Sequence, residues 1–507
     1  MRNFNHPKAG ILPINSLSSQ FLRSAIAILI LIGSLSPVRL EAQTGNQSDV
    51  TGPNPTETVP NSEAQISERI DRAGYETLVS QANTETAIAV VEEFHAWEFC
   101  NQLQLDRCGQ VPSLAEITQT LAYTWGQTGQ RPALIYFVAL EDELQSFVVM
   151  PSQPTNAAKV TNKQTAIAPV VLRQSNPTVD RRELLQLTRR FRRQLNSPHR
   201  QGYTETSQKL YDRLLEPIAS ELDQAGVDVL VLVPDRGLRL MPFSALQNQA
   251  GQFLIEQYAV SLIPSFGLSD LQVADLRNRN ILAMGAATFT DQQNLPAVPT
   301  ELAQVVRSPW QGEVLLEQAF TVHNLRDRLA SGQFGIVHLA THGVFKGGDL
   351  ANSYIQFSDR RLSLLEWRDL VTQLNWNNSN AAQLEMWVLS ACETAVGSVE
   401  AELGFAGLAV QLSAKSALAS FWQVSDAGTL ALMSEFYRQL QANPLKAQAL
   451  RQTQLAMLRG EVRVDNNALV LPDGSRVAIA AAATGRANLD FSHPYYWSGF
   501  TNIGSWN

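Results

Sequence analysis

Two segments, FGIVHLATHGVF (334–345) and LEMWVLSACETAVG (384–397), decide the predicted fold of this 507-residue chain. Each begins with a nearly continuous apolar run, which is typical of a β-strand buried on both faces. A helical pattern at about 362–375 separates the two runs, and strands joined by such a helix pair in parallel through a right-handed crossover. The two segments therefore predict a mostly parallel sheet covered by helices on both faces.

The same alternation of strands and helices extends outward over the second half of the chain, from Gly226 onward. Further apolar runs are VDVLVLV (227–233), NILAMGA (280–286) and SALASFW (416–422). Helical patterns lie at about 315–330, 399–414, 426–442 and 446–459. The segment ALVLPDGSRVAIA (468–480) carries an Asp-Gly turn between apolar runs, which predicts a hairpin insertion.

The region before this domain has a different pattern. Apolar residues recur at helical spacing from about 66 to 103, and Ser113 with Glu116 forms a predicted capping box for a second helix. The runs ALIYFVAL (133–140) and LQSFVVM (144–150) flank a short acidic turn, which predicts a β-hairpin. We therefore predict a helical and β-hairpin N-terminal region over 66–204, followed by an α/β domain over 205–507.

The N-terminus has the pattern of an export signal. A polar, basic segment precedes the apolar run 25–35, which is too short to span a hydrocarbon core of about 30 Å. We expect residues 1–42 to be a signal peptide that directs export to the periplasm or the medium, the alternative being a membrane anchor formed by residues 25–35. Residues 43–65 are polar and predict a disordered linker.

The formal net charge of −8 argues against attraction of the whole protein to nucleic acid or to anionic membranes. One segment departs from this balance, because residues 180–200 contain seven arginines and only two acidic residues. It lacks interleaved aromatic residues and any known nucleic-acid motif. We expect a solvated helix face, or docking onto an acidic surface of the same protein, rather than nucleic-acid binding.

His342 and Cys392 are the candidate catalytic residues. Both lie where a predicted parallel strand reaches its carboxyl end, the edge at which open α/β sheets place their sites. A cysteine nucleophile needs a base and donors for the developing oxyanion, and we assign these roles to His342 and to the backbone N–H groups of Gly343 and Cys392. Taken singly, a buried core cysteine and a satisfied core histidine are the simpler interpretations. His338 is expected to be structural.

Other common sites are missing from the sequence. It has no phosphate-binding loop, dinucleotide fingerprint or serine nucleophile elbow. His338 and His342 form the one HxxxH pair, without the glutamate of a zinc protease. We therefore predict no metal and no cofactor.

The motifs THGVF (341–345) and LSACETAVG (389–397) resemble the CHAT domain, a caspase-like, separase-related family of cysteine peptidases. Further stretches match it in order, namely LVLVPDRGLRLMPFSAL (230–246), LASFWQVSDAGTLALMSEFY (418–437) and HPYYWSGFTNIG (493–504). Ser413 stands where relatives often have glycine. The resemblance covers about 205–507 and implies a caspase-hemoglobinase-like fold.

The resemblance also implies a function, that of a cysteine endopeptidase with a His342–Cys392 dyad acting on a protein or peptide substrate. It places a specificity carboxylate in the segment FWQVSDAGT (421–429), where Asp426 would bind a basic substrate residue. Two interpretations of Asp426 stay open, substrate binding and capping of the helix from 427. The alternative function is that of a catalytically inactive CHAT-fold interaction module.

The three cysteines divide into a pair and a single residue. Cys100 and Cys108 lie eight positions apart, at the end of a helix and in the loop that follows. In an oxidising compartment they can form a disulfide, which would leave Cys392 as the free thiol.

Overall fold

The computed structural model describes residues 71–105, 108–155, 167–199, 202–346, 350–374, 384–394 and 399–507, and for 391–394 and 399–400 it describes the backbone. The predicted signal peptide (1–42), the alternative anchor (25–35) and the linker (43–65) lie outside these residues. Within the described ranges, no helix is both long and apolar enough to cross a membrane.

The helices are α1 (Arg72–Gln81), α2 (Thr84–Leu103), α3 (Leu114–Thr128), α4 (Arg181–Leu195), α5 (Thr204–Leu214), α6 (Glu216–Gln224), α7 (Leu254–Gln257), α8 (Val298–Val305), α9 (Val322–Ala330), α10 (Leu364–Leu374), α11 (Val399–Ala406), α12 (Leu408–Gln411), α13 (Asp426–Ala442), α14 (Lys446–Leu458), α15 (Ala481–Thr484) and α16 (Pro494–Trp497). The strands are β1 (Pro132–Ala139), β2 (Leu144–Pro151), β3 (Pro169–Asn176), β4 (Val229–Pro234), β5 (Ala259–Leu262), β6 (Asn280–Gly285), β7 (Gly312–Leu316), β8 (Phe334–Phe345), β9 (Tyr354–Gln356), β10 (Arg361–Ser363), β11 (Leu384–Thr394), β12 (Ala414–Ser420), β13 (Arg463–Asp465), β14 (Ala468–Val470), β15 (Arg476–Ala478), β16 (Leu489–Asp490) and β17 (Phe500–Gly504).

One large sheet of 13 described strands forms the centre of the molecule. Its main path runs β10-β9-β8-β11-β12-β17-β5-β4-β1-β2-β3, and β6 joins β8 to β7. One parallel group consists of β7, β6, β8, β11 and β12. A second consists of β17, β5, β4 and β1, and β12 and β17 are antiparallel to each other where the two groups meet. The predicted α/β architecture, a mostly parallel central sheet flanked by helices, is confirmed.

Apolar side chains cover both faces of this sheet. Along β1, Leu134, Tyr136 and Val138 pack into the core cluster that includes α1, α2 and α3, whereas Ile135 and Phe137 pack into the cluster on the opposite face. Alternation of this kind follows from the two-residue period of a strand. Each fully buried large apolar side chain stabilises the fold by about 1.5–3 kcal/mol.

The N-terminal region continues the sheet of the following domain. Strand β1 pairs in parallel with β4, and β2 and β3 extend the sheet as an antiparallel meander. The predicted hairpin is β1 and β2, and the capping box at Ser113 and Glu116 is present. Strand β3 was not predicted, because its short apolar part lies on a largely exposed edge.

Two further details differ from the sequence predictions, whereas the predicted hairpin at 468–480 is present. The helix predicted over 315–330 begins only at Val322, and its first residues belong to β7. The helix predicted over 399–414 is divided into α11 and α12 at Gly407. The predicted hairpin is β14 and β15, which form a small separate sheet with β13 and β16.

Candidate functional site

The candidate site lies at the carboxyl edge of three adjacent strands. Strands β8, β11 and β12 are neighbours in parallel register, so their carboxyl ends meet at one edge of the sheet. Strand β8 runs three residues beyond His342, because Gly343 and Val344 also pair with β9. Strand β11 likewise continues to Thr394. Both predicted catalytic residues are therefore inside paired strand segments near this edge rather than at the last strand residue.

The strand register brings His342 and Cys392 next to each other along the backbone. His342 is the Cα partner of Ala391, and Gly343 is the partner of Cys392. Between Leu389 and Ala391 the register shifts, so that β8 carries one extra residue before His342. Such bulges re-aim side chains and are over-represented beside active sites. Neighbouring strands lie about 4.8 Å apart, so the backbone of His342 is adjacent to that of Ala391, the residue before Cys392.

The half-buried imidazole of His342 is held in one orientation by the loop that follows β6. Its Nε2 lies 2.7 Å from the carbonyl oxygen of Gln293. A carbonyl oxygen only accepts, so Nε2 carries the hydrogen and the neutral ring keeps its lone pair on Nδ1. The ring of Phe289 contacts His342 edge to face, with centroids 4.9 Å apart. The contacts with Gln293 and Phe289 fix both the tautomer and the tilt of the candidate base.

Asp426 contacts the same loop. It is the first residue of α13, and Ser425 rather than Asp426 caps this helix by accepting the N–H of Gly428. The carboxylate of Asp426 instead accepts the N–H of Ala297 at 2.7 Å. The capping interpretation of Asp426 is therefore wrong for its own helix. The residue is half-buried, and its carboxylate lies at the carboxyl edge beyond β12.

The electrostatic environment of Asp426 is unusual for an aspartate. Burial raises the pKa of its carboxyl group to about 7, the N–H of Ala297 opposes this shift, and the nearby charge of Glu301 adds to it. A half-buried carboxylic acid that titrates near neutral pH is a frequent feature of functional sites. An arriving guanidinium or ammonium group would favour its ionised form.

His338 occupies a buried polar cluster beneath the site. Its Nε2 lies 2.8 Å from a carboxylate oxygen of Glu301, and its Nδ1 lies 3.2 Å from the hydroxyl of Tyr437. All three side chains are buried. Burial and the charge of Glu301 hold the pKa of Tyr437 well above its usual value. The expected structural role of His338 agrees with these contacts.

The remaining features predicted from the sequence are the cysteine pair and the arginines of α4. Cys100 and Cys108 are joined by a disulfide at the end of α2, with Cα atoms 5.3 Å apart. Among the arginines of α4, Arg192 is buried and donates to the carbonyl oxygen of Phe421, and Arg181 pairs with Glu76. Arg182, Arg189, Arg190 and Arg193 are exposed, as expected for a solvated helix face.

Sequence reasoning missed the loop after β6, which contacts both His342 and Asp426. The contribution of Gln293 is a backbone carbonyl and that of Ala297 is a backbone N–H, so neither has a side-chain signal in the sequence. Within the described residues, no group of three or more His, Cys, Asp or Glu side chains is arranged to hold a metal ion.

Comparison with known proteins gives one family and a set of distant structures. The CHAT domain family matches residues 204–505. A comparison with curated proteins finds no match. Two crystal structures of the Saccharomyces cerevisiae separase–securin complex each match at a TM-score of 0.42, with 10% and 9% identity, over 86% of this chain and 34% of theirs.

A third structure, a complex of the pro- and mature domains of RgpB from Porphyromonas gingivalis, is more distant. It matches at a TM-score of 0.34 and 10% identity, over 64% of this chain and 75% of that chain. This chain spans about a third of the separase–securin chains. The match over residues 204–505 covers more than half of this chain and agrees with the motifs of residues 341–345 and 389–397. The chain belongs to the CHAT domain family.

Proposed function

We propose that this protein is a cysteine endopeptidase of the caspase-like type, with Cys392 as nucleophile and His342 as general base and acid. The observation that carries the proposal is that His342, whose tautomer leaves Nδ1 as the basic nitrogen, pairs with Ala391, the residue directly before Cys392. A nucleophile, a base and a third group that orients the base are the three parts that such catalysis requires.

The proposed chemistry follows the acyl-transfer scheme. His342 Nδ1 takes the proton of the Cys392 thiol, and the sulfur attacks the carbonyl carbon of the scissile peptide bond. The N–H groups of Gly343 and Cys392 stabilise the oxyanion. His342 then returns the proton to the leaving amine, and a thioester remains on Cys392. Water hydrolyses the thioester, with His342 taking its proton, so the free thiol is restored without cofactor or metal.

Asp426 is the proposed binding group for a basic side chain on the acyl side of the cleaved bond. Two features support this role, its place beyond β12 and its contact with the loop that also orients His342. A carboxylate pairs bidentately with a guanidinium. The proposed substrates are therefore proteins or peptides cleaved after arginine or, more weakly, lysine.

A cleavage assay tests this function. Wild type, Cys392→Ala and His342→Ala are each incubated with a mixture of peptides, and new termini are read by mass spectrometry. The expected result is cleavage after arginine or lysine by wild type alone. A folded wild-type protein that cleaves no peptide, or a Cys392→Ala variant as active as wild type, would leave the interaction-module alternative as the better account.

We also propose export, with residues 1–42 removed as a signal peptide. The apolar run at 25–35 supports this proposal, and so does a disulfide, which persists in oxidising compartments. N-terminal sequencing of the protein recovered from the periplasm or medium should begin near Gln43. An intact N-terminus in a membrane fraction would favour anchoring by residues 25–35.

A further inference from the structure

The loop after β6, which orients His342, has a closed base and an exposed tip. At the base, the N–H of Leu295 donates to the carbonyl oxygen of Ala287 at 2.8 Å, which closes the loop on itself. The tip, residues 291–293, ends with the carbonyl that accepts the Nε2 hydrogen of His342, yet Asp291 and Gln293 are exposed. Because the tip buries little surface, its position depends on polar contacts rather than on packing.

The hairpin formed by β9 and β10 supplies such contacts. The guanidinium of Arg361 in β10 donates to Oδ2 of Asp291 at 2.6 Å. The hydroxyl of Tyr354 in β9 lies 3.5 Å from Nε2 of Gln292. The hairpin therefore contacts the two residues of the tip that directly precede Gln293.

The guanidinium of Arg361 is held in place although it is half exposed. Its Nε donates to Oε1 of Gln356 at 3.1 Å, and its Cζ lies 4.7 Å from the centroid of the Tyr354 ring. A surface ion pair usually contributes little, because two long side chains lose conformational freedom when they form it. An arginine that is already fixed by a hydrogen bond and a stacked ring loses less of that freedom, so its ion pair with Asp291 can hold the tip.

The same hairpin is attached to the strand that carries His342. Gly343 and Val344 of β8 pair with β9, directly after His342. Strand β10 pairs in turn with β9, with Arg361 opposite Gln356. Strand β8 therefore positions both the imidazole and the arginine that holds the loop facing it.

We propose that Arg361 is a positioning residue for His342. Through its ion pair with Asp291, it keeps the Gln293 carbonyl at hydrogen-bond distance from Nε2, so that Nδ1 retains its lone pair. If the carbonyl moves away, the hydrogen is free to shift to Nδ1, and a ring in that tautomer cannot accept a proton there. This inference rests on the proposed peptidase function, in which Nδ1 accepts the thiol proton.

The test compares Arg361→Met with a matched control, Arg360→Met, in the intact chain. Arg361→Met removes the guanidinium and keeps an unbranched side chain that can still cover the Tyr354 ring. Arg360 is adjacent, and it donates to Oε1 of Glu366 in α10 at 2.7 Å rather than to the loop. The side chains of the Arg361–Asp291 pair are 50% and 52% exposed and those of the Arg360–Glu366 pair 46% and 48%, so the two pairs differ in location and not in exposure.

Two readouts are taken, kcat and KM on an arginyl peptide and nitrogen NMR of the protein made with isotope-labelled histidine. The His342 signals are those that disappear in His342→Ala. At a pH where the ring is neutral, its protonated and bare nitrogens resonate far apart, and exchange between the two tautomers brings their signals together. The NMR readout therefore reports the tautomer directly and does not depend on activity.

We expect wild type and Arg360→Met to show two well-separated His342 signals, with Nδ1 bare. Arg361→Met should bring the two signals closer together, and Asp291→Asn should do the same from the other side of the ion pair. Both variants should lower kcat by about threefold to tenfold, because a reacting group that is less well oriented reacts more slowly, with KM close to that of wild type.

The proposal is overturned if Arg361→Met keeps either the kcat or the His342 signals of wild type, or if Arg360→Met changes as much as Arg361→Met. If wild type cleaves no peptide, the proposed function fails, and the NMR signals alone decide the positioning. Signals that move together in Arg361→Met but not in Arg360→Met then support it, and unchanged signals overturn it.

Discussion

The imidazole of His342 takes its direction from a backbone carbonyl rather than from a third side chain. The carbonyl oxygen of Gln293 accepts the Nε2 hydrogen at 2.7 Å, and Phe289 packs against the ring. Because the orienting atom belongs to the backbone, substitution of the Gln293 side chain should leave the tautomer unchanged. The geometry of the loop after β6 is therefore the feature on which the base depends.

The raised pKa of Asp426 predicts that the preference for basic substrates depends on pH. Burial raises the pKa of its carboxyl group to about 7, so its charge is present above this pH and is lost below it. A basic substrate residue needs the ionised form. The ratio of kcat/KM for an arginyl peptide to that for a matched glutaminyl peptide should therefore rise between about pH 6 and about pH 8, since kcat/KM reports the free enzyme.

Asp426→Asn is the control for this titration. It should lower kcat/KM for the arginyl peptide roughly tenfold to a hundredfold, equivalent to the loss of about 1.5–3 kcal/mol from a charged hydrogen bond. The glutaminyl peptide should be little affected, and the ratio should become flat with pH. A wild-type ratio that does not change with pH would show that Asp426 does not bind the basic residue.

The sequence was sufficient to predict that the strands carrying His342 and Cys392 are parallel neighbours. His342 and Cys392 follow long apolar runs, and these runs are adjacent parallel strands in the structure. The contacts of Gln293 and Ala297 were not predictable, because they are made by backbone atoms of a loop. The hydrogen bond between Asp426 and Ala297 was not predictable either, because the two residues lie more than a hundred positions apart in the chain.

The backbone of the turn between α12 and β12 is strained at Ser413, and substitution of Ser413 by glycine should relieve this strain. Ser413 has φ +51°, in the left-handed region that favours glycine. A side chain in this region costs about 1–2 kcal/mol, and the greater chain entropy of glycine offsets part of the gain. Ser413→Gly should raise the free energy of unfolding by about 0.5–1 kcal/mol in urea titrations, whereas a decrease would mean that Ser413 makes a compensating contact.

The disulfide between Cys100 and Cys108 at the end of α2 should contribute to the stability of the fold. Closing a loop of this length stabilises a fold by about 2–3 kcal/mol. The double substitution Cys100→Ser with Cys108→Ser should lower the free energy of unfolding by that amount. Thiol titration of the denatured, unreduced protein should count one free group and, after reduction, three. Three groups before reduction would contradict the pairing.

Elements with strong periodicity were predictable, and elements fixed by their neighbours were not. The helices α13 and α14 and the buried strands β4, β6 and β12 agree with the apolar patterns. Strands β9 and β10 have three residues each and exist because β8 offers a partner beyond His342. The break at Gly407 reflects close packing of Leu103 and Phe99 rather than any stop signal in the sequence.

For the whole molecule, the N-terminal region and the CHAT domain share one sheet and one buried charge network. Strand β1 pairs with β4 along six positions, and Arg72 and Glu98 pair with the buried charges of Asp235 and Arg239 in the segment after β4. The matched family begins at residue 204, so the sheet extends beyond it through β1, β2 and β3.

A chain shortened to residues 205–507 should therefore not fold as the intact protein does. It would expose β4 as an unpaired edge and leave Asp235 and Arg239 without their partners, which costs several kcal/mol and promotes aggregation. Gel filtration and circular dichroism are the measurements. A soluble, monomeric fragment that unfolds cooperatively at the same urea concentration as the intact chain would contradict the prediction.

The His342–Cys392 dyad is tested most directly by covalent labelling with an arginyl peptide that carries an electrophilic ketone, read by mass spectrometry of the digested protein. We expect one adduct per chain, on Cys392, formed rapidly by wild type, at a greatly reduced rate by His342→Ala and not at all by Cys392→Ala. Labelling of Cys392 at the same rate in wild type and His342→Ala, or no labelling of folded wild type, would contradict the dyad.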